Sequence, residues 1–187
     1  MEYPAGGFPR QRSLVERMIG AAMLDVSVYE EVEHDLTATS QAAIVVGIVA
    51  VCGAIGSWGH GGKGIIGAVI AAFLSWLIMS ALTYFIGTKL FAGRADMGEM
   101  LRTLGFAQAP GVIAIVGFVP FLGRLVVFAV AIWQLVTAVV AIRQALDFDT
   151  GKAIATALIS WIVVWAVIAA IGVFILGSAL AIGALAG

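Results

Sequence analysis

Charge is what this chain has least of. Only 11% of its 187 residues are Asp, Glu, Lys or Arg, against 62% hydrophobic; a soluble globular domain is nearer a quarter charged and half apolar. That excludes a water-soluble domain and a disordered polar chain. A net charge of −1 and a pI near 6.1 leave no bulk attraction for nucleic acid, so none is expected as a partner. Cysteine is nearly missing too. The one thiol, Cys52, cannot close an intrachain disulfide and implies no oxidising compartment. The first 40 residues hold no apolar core of the signal-peptide kind, so the first apolar stretch is expected to direct insertion itself.

What the chain has is apolar sequence in charge-free stretches at 42–58, 65–88, 104–123, 125–142 and 153–187. A helix rises about 1.5 Å per residue and the hydrocarbon layer is about 30 Å thick. The reading is therefore all-α: a polytopic helical membrane protein with five transmembrane helices at about 42–58, 65–88, 104–123, 125–142 and 154–176. A polar N-terminal segment, 1–40, precedes the membrane domain, 41–187. The third stretch is interrupted by Pro110 and Pro120, with Gln108 nearby. Proline removes a helix hydrogen bond, and lipid tolerates that only where protein covers the freed carbonyls. A broken, shielded span and a re-entrant segment both satisfy that condition. With five spans, the N-terminal side holds Arg10, Arg12, Arg17, Lys89, Arg94, Arg102, Arg143 and Lys152, and the other side holds Lys63 and Arg124. This positive-inside bias places the N-terminus in the cytoplasm and the C-terminus outside a cell membrane, with every acidic residue on the inner side.

The inner segments carry local signals. Ser13 and Glu16 fit a capping box. The helix they start places Leu14, Val15, Met18, Ile19 and Ala22 on one arc and Glu16, Arg17 and Gly20 opposite, an amphipathic pattern suited to the inner leaflet or to the ends of the spans. Ser27 and Glu30 spell a second box, and Asp35 to Ser40 a third cap. Glu30, Glu31 and Glu33, with His34 and Asp35, form an acidic cluster. Adjacent residues do not share a helix face, so it reads as a solvated face or a dock for inner basic residues, and no metal is assigned. Asp96 with Glu99 caps a short helix, and Asp149 or Thr150 starts the last span. Arg143 and Lys152 are expected to pair with these acids or with lipid phosphate.

Catalytic and ion-coupling chemistry is sparse. No formal charge falls within the five stretches, which argues against a proton-driven transporter. Gln134, Thr137, Ser75, Ser80, Thr83, Tyr84 and Ser160 read as contacts between helices. His34 and His60 fall on opposite sides, and there is no HExxH. Neither Gly62–Lys63 nor Gly151–Lys152 has the rest of a Walker A loop. No enzyme activity and no cofactor are therefore expected. Small residues four apart, at Ala43/Gly47, Gly53/Ser57 and Ala179/Gly183/Gly187, suit intrachain packing or a homo-oligomer formed through the tail, and do not decide between them.

Two motifs bring a family into view. "DLTAT" at 35–39, directly before the first span, resembles the "DLYGP" of the Yip family (Ypt-interacting proteins) in its Asp35-Leu36 start. "LGFAQAP" at 104–110 resembles the family's Gly-Tyr segment, with Gly105 and Phe106 in the Gly-aromatic places and Pro110 closing it. "LRTLGFAQAP" and "ALDFDTGKA", the latter with Asp147 and Asp149, are similar to prokaryotic members. Thr37, Ala38 and Thr39 stand where the family has Tyr-Gly-Pro, and Phe106 where it has Tyr. The resemblance implies a five-span protein of the prokaryotic plasma membrane that binds or organises other membrane proteins or the lipid bilayer, in eukaryotes linked to small GTPases of the Rab type. The function expected is a membrane scaffold or adaptor working through its inner face. The alternatives are a passive channel or lipid or small-molecule transporter, and an accessory subunit of a larger complex. The threading has a direct test. In a Cys52→Ser background, a cysteine introduced at Gln144 should resist an impermeant maleimide applied to intact cells, and labelling from outside would overturn it.

Overall fold

The computed structural model describes residues 11–58 and 64–186. The glycine-rich turn with His60 and Lys63, and Arg10, lie outside the described residues, as do the side chains of Ala179 and Gly183 and all of Gly187. Among the described residues, seven α-helices and one 3-10 segment follow one another: α1 (Leu14–Ala22), α2 (Val26–His34), α3 (Ala38–Gly56), α4 (Ile65–Leu90), α5 (Met97–Phe106), the 3-10 segment (Ala109–Phe118), α6 (Leu122–Ala145) and α7 (Thr150–Ala186). Among the described residues α3, α4, α6 and the Thr150–Ala170 part of α7 are each long and apolar enough to cross a membrane. The chain is thus a multi-pass helical membrane protein. Its outward side chains are those of a lipid-facing surface: Ile66, Phe85, Phe128, Ile162 and Trp165 are all exposed.

The third stretch corrects the expected boundaries. Residues 104–123 are not one helix. α5 ends at Phe106, the 3-10 segment follows at an angle of 41°, and α6 begins at Leu122, so that Arg124 lies in its first turn rather than between two spans. The pair nevertheless runs the length of the bundle. Gly105 lies against Ala42 near the start of α3, Gly111 against Val49 midway, and Gly117 against Gly56 at the end of α3. Ten residues of α-helix and ten of 3-10 helix span about 15 Å and about 20 Å, enough to cross the hydrocarbon. Counting the pair as one span gives five, and its geometry is that of a broken span.

Two devices make the break tolerable. In a 3-10 helix, residues three apart eclipse one another, so Gly111, Ala114 and Gly117 share a face. A Cβ added at Gly111 would lie 2.5 Å from Val49 Cγ1, and one at Gly56 would lie 2.0 Å from the Ala114 carbonyl oxygen. Only bare backbone lets α3 come so near. On the opposite side, Pro110 has no N–H to offer the Ala107 carbonyl. Thr137 of α6 donates its hydroxyl to that carbonyl at 2.6 Å, and Gln134 Nε2 donates to the Gln108 carbonyl at 3.2 Å. The expectation that neighbouring protein would cover a carbonyl freed by proline is met by Thr137 on Ala107; the Gln108 carbonyl, which also accepts the Gly111 amide at 2.8 Å, gains Gln134 as a second donor.

The densest core is not at mid-membrane. The largest fully buried side chains include Arg17, Tyr29, Met100, Phe106, Ile142 and Leu146. They gather where α1, α2 and α5 pack on the starts of α3 and α7 and the ends of α4 and α6, the charged end of the bundle. Between α4 and α7 a small polar seam is fully buried: Ser80, Thr83, Thr156 and Ser160, with Thr83 Oγ1 donating to Ser160 at 3.4 Å.

Two substitutions test this packing. Thr137→Val should lower stability by roughly 1–2 kcal/mol, the cost of one interhelical hydrogen bond and the carbonyl left bare. Gly56→Ala should cost more, because the obstacle is backbone. Melts in detergent micelles check the order, and a neutral Gly56→Ala would refute the close approach.

Candidate functional site

Arg17 organises the charged end. The amphipathic reading put it opposite the apolar arc, and it is 1% exposed. Its Nε donates to Glu31 Oε1 at 3.0 Å and its Nη2 to the same oxygen at 2.8 Å. Nη2 also donates to Asp35 Oδ2 at 2.7 Å, and Nη1 to Gln41 Oε1 at 2.9 Å. One guanidinium therefore ties α1, α2 and α3 together. Arg12 adds a second ion pair to Glu31 at 2.7 Å. Burial pushes the Glu31 carboxyl up, but the hydrogen bonds from Arg17 and Arg12 outweigh it and hold Glu31 below the usual range. Asp35 is also held low, first by the Thr37 hydroxyl and then by Arg17. Thus α1 buries Arg17 and Ala21, packs Leu14 and Met18 against the core, and leaves Val15 and Ile19 exposed, with Met23 exposed just after it. Trp133 of α6 donates its indole N–H to the Ala22 carbonyl at 2.8 Å, so the end of α1 rests against the apolar flank of the bundle.

The Asp-Leu motif divides into two roles. Asp35 Oδ1 accepts from the Thr37 amide at 2.9 Å and the Thr37 hydroxyl at 2.6 Å, building the turn into α3, while Oδ2 faces Arg17. Leu36, its neighbour, is 77% exposed. Gly105 and Phe106 belong to packing instead: Phe106 is fully buried, and a Cβ on Gly105 would meet the Ala42 methyl. Pro110 sits in the first turn of the 3-10 segment.

The caps fall partly as expected. Ser13 with Glu16 and Asp96 with Glu99 form complete capping boxes. Asp149 accepts from the Lys152 amide at 3.0 Å and starts α7. The Ser27–Glu30 box is replaced by Asp25, which accepts from the Ser27 amide and caps α2 two residues earlier.

The acidic cluster is not one uniform solvated face. Glu31 is engaged by Arg12 and Arg17. Glu30 accepts from Gln144 Nε2 of α6 at 2.5 Å. Glu33 is nearly buried, and its own carbonyl, not its carboxylate, is held by Arg102, whose Nε also donates to the Val32 carbonyl at 3.0 Å. Arg102 is itself 3% exposed and clasps the C-terminal carbonyls of α2, where the helix dipole is negative. Burial pushes the Glu33 carboxyl up to about 7; His34 opposes this, and Glu99, Glu30 and Asp147 add to it. Glu30, Glu33 and His34 bring one ligand atom each within 4.8 Å of one another.

Beside this cap the 91–96 and 146–149 loops meet through the Arg94 amide and the Leu146 carbonyl at 3.3 Å. Ala92 and Asp147 both adopt positive φ there, 56° and 54°. The loops enclose a hollow of about 270 Å³ lined by Arg94, Asp147, Phe148 and Lys152. Lys152 stands over the Phe148 ring at 5.6 Å, and Arg143 donates to Gln144. Neither Lys152 nor Arg143 is ion-paired to an acid among the described residues. Deeper in the bundle, a cavity of about 230 Å³ flanks the broken span, lined by Trp76, Leu104, Gln108, Gln134 and Trp161. A wider one of about 520 Å³ opens at the far end beside Gly117 and Arg124.

Sequence reasoning did not single out Arg17 and Arg102. For Arg17 a signal existed: Glu31 and Asp35 are four apart and share a face, a two-carboxylate clamp in need of a cation. For Arg102 none did, since its acceptors are main-chain carbonyls some 70 residues away. Among known families, the model described as Yip1 domain matches residues 19–171. No curated protein and no solved structure matches the chain.

The Arg17 clamp predicts a pH dependence. Glu31 and Asp35 are depressed in the folded state, so their contribution is present above the ordinary carboxylate range and is lost as pH falls below it. Arg17→Met should cost roughly 3 kcal/mol at neutral pH by stranding two carboxylates. That gap between wild type and variant should close between about pH 5 and pH 3. Thermal melts across that range check it, and a gap constant with pH would refute the clamp.

Proposed function

The chain belongs to the Yip1 domain family, and from that premise we propose that it is a non-enzymatic scaffold or adaptor of the cell membrane, docking other membrane proteins on its charged end. The observation that carries this reading is the contrast within Asp35-Leu36. Asp35 is pinned by Thr37 and Arg17, while the leucine beside it stands 77% exposed on a surface otherwise rich in charge. An exposed leucine on a rigid turn is the kind of anchor that fills a pocket on a partner. The ionised groups around it are engaged in holding helices: Arg17 joins three of them and Arg102 closes the end of α2.

In this reading the charged end faces the cytoplasm, in keeping with the basic residues Arg12, Arg17, Lys89, Arg94, Arg102, Arg143 and Lys152. The exposed Val15 and Ile19 of α1, and Met23 just after it, lie in the inner leaflet. Arg94 and Lys152 sit at the ends of the spans, where lipid phosphates are found. A second reading draws on the cavity beside the broken span. Gln108, Gln134, Trp76 and Trp161 line a space suited to a small amphipathic solute or part of a lipid.

Leu36→Arg separates the two. At so exposed a position it should leave the melting midpoint within a degree or two, yet strip most partners captured by cross-linking in native membranes. An unchanged partner profile would sink the scaffold reading. Lipid scrambling or solute flux in liposomes, untouched by Leu36→Arg and lost in Gln134→Leu, would establish the second.

A further inference from the structure

The far end of the bundle, opposite the Arg17 clamp, carries a cation and no acid to meet it. No Asp or Glu occurs between Asp35 and Asp96, between Glu99 and Asp147, or after Asp149. Arg124 lies at that end, exposed in the first turn of α6. Among the described residues its side chain has no hydrogen bond, and the ion pairs there belong to Arg12 and Arg17. Its place sharpens the demand for an anion. The start of a helix is the positive end of its dipole, and Phe121 supplies no side-chain cap.

From Arg124 an apolar stripe runs along α6. Val127, Phe128 and Ala131 follow it by three, four and seven residues, which keeps them on its face of the helix. With Gly53 of α3 they line the hollow of about 520 Å³, within the ~300–1,000 Å³ of small-molecule sites. Ser57 also lines it, but its hydroxyl is spent on the Ala54 carbonyl at 3.0 Å. Arg124 is thus the one lining side chain with hydrogen bonds still to give.

The hollow is built into the backbone. A Cβ on Gly56 would lie 2.0 Å from the Ala114 carbonyl oxygen, and one on Gly123 2.2 Å from that of Gly117. Segments already in contact cannot move closer to fill the space. A Cβ on Gly53, by contrast, meets nothing within 4 Å, so the α3 wall is open where a side chain is missing.

Charge at the end of the bundle and hydrocarbon toward its middle is the layout of a phospholipid. The helix from Arg124 to Ala131 covers about 10 Å, against about 15 Å for the hydrocarbon of one leaflet. Arg124 also lines a smaller hollow of about 180 Å³ with Val119, Pro120 and Phe121, which offers room for a headgroup. We propose that this face binds one net-anionic phospholipid of the phosphatidylglycerol kind, its phosphate on Arg124 and an acyl chain in the hollow. A zwitterionic headgroup would bring its own cation to a guanidinium and a helix start with no carboxylate near them. A second copy of the chain presenting the same end would bring another Arg124 and no acid. The site shares no lining residue with the cavity beside Gln108 and Gln134, so it stands apart from the transport reading.

The test places a benzophenone photo-cross-linker at Phe128 of the full-length chain, in vesicles of equimolar phosphatidylcholine and phosphatidylglycerol, and identifies the adduct by mass. The expected adduct is lipid, with phosphatidylglycerol in roughly fivefold excess, the preference that one arginine confers. Excess glycerol 3-phosphate in solution should not reduce it, because the headgroup alone leaves the hollow unfilled. Arg124→Gln should bring the two lipids to parity. Gly53→Leu, which fills the hollow, should cut the total lipid adduct several-fold. In lipid-free micelles both variants should melt within roughly a degree or two of the wild type, since Arg124 is exposed and Gly53 faces open space. Should Gly53→Leu fold poorly, Arg124→Gln decides. Parity in the wild type, an excess that survives Arg124→Gln, an adduct yield untouched by a well-folded Gly53→Leu, competition by glycerol 3-phosphate, or a protein chain as the adduct would each overturn the site.

Discussion

A main-chain carbonyl at membrane depth must find a donor, and the arrangement of this bundle follows from that constraint. Pro110 cannot serve Ala107, so α6 must, and Thr137 does so at 2.6 Å. That bond, with Gln134 on the Gln108 carbonyl, sets the rotation and depth of α6 against the third span. The opposite face of the same span is set by what is missing. Gly105, Gly111 and Gly117 let it lie against α3 from Ala42 to Gly56, where a methyl group would collide. One irregular segment is thereby held between two regular helices, by hydrogen bonds on one side and by close backbone contact on the other.

The charged end solves a different problem with two arginines. Arg17 is neutralised by two carboxylates on adjoining elements, so its burial joins helices at the cost of desolvating an ion pair. Arg102 is buried against carbonyls instead, and the partial negative charge at the end of α2 stands in for a carboxylate. α1 offers Arg17 inward beside Leu14, Met18 and Ala21, and only Val15 and Ile19 of its apolar arc face outward. A helix that looks like a simple surface amphipath therefore buries its arginine in the protein while Glu16 stays exposed. Trp133, donating to Ala22, secures its far end.

Much of this was legible from residue order, and what was not has physical reasons. Four crossings were readable because hydrophobic length alone decides them, and the capping boxes at Ser13 and Asp96 because they are contained within four residues. The proline break was legible as a problem, and Thr137 and Gln134 as polar residues of the right kind, but the pairing of each with its carbonyl depends on helix rotation. The start of α6 was misplaced by Arg124, since one exposed arginine in a first turn resembles a loop. The amphipathic arc of α1 was legible for Leu14, Met18 and Ala22, which pack on the core, but not the burial of Arg17. Its charge found partners 14 and 18 residues away, which no periodicity within the helix reveals. Ser27 lost the cap to Asp25 because the aspartate sits where the chain is still extended.

The Asp35-Leu36 pair lies where these arrangements converge. Residues 35–37 form the non-helical joint between α2 and α3, and three separate contacts determine its shape: Thr37 on Asp35 Oδ1, Arg17 on Asp35 Oδ2, and Arg102 on the carbonyls just before it. Leu36 has no anchor of its own, so its position is inherited from those contacts. Displacing α2 against α6, where Glu30 meets Gln144, moves the joint and therefore the leucine. A molecule that docks on Leu36 thus reads the seating of α2, and whatever draws α2 onto the bundle fixes the surface that the partner meets.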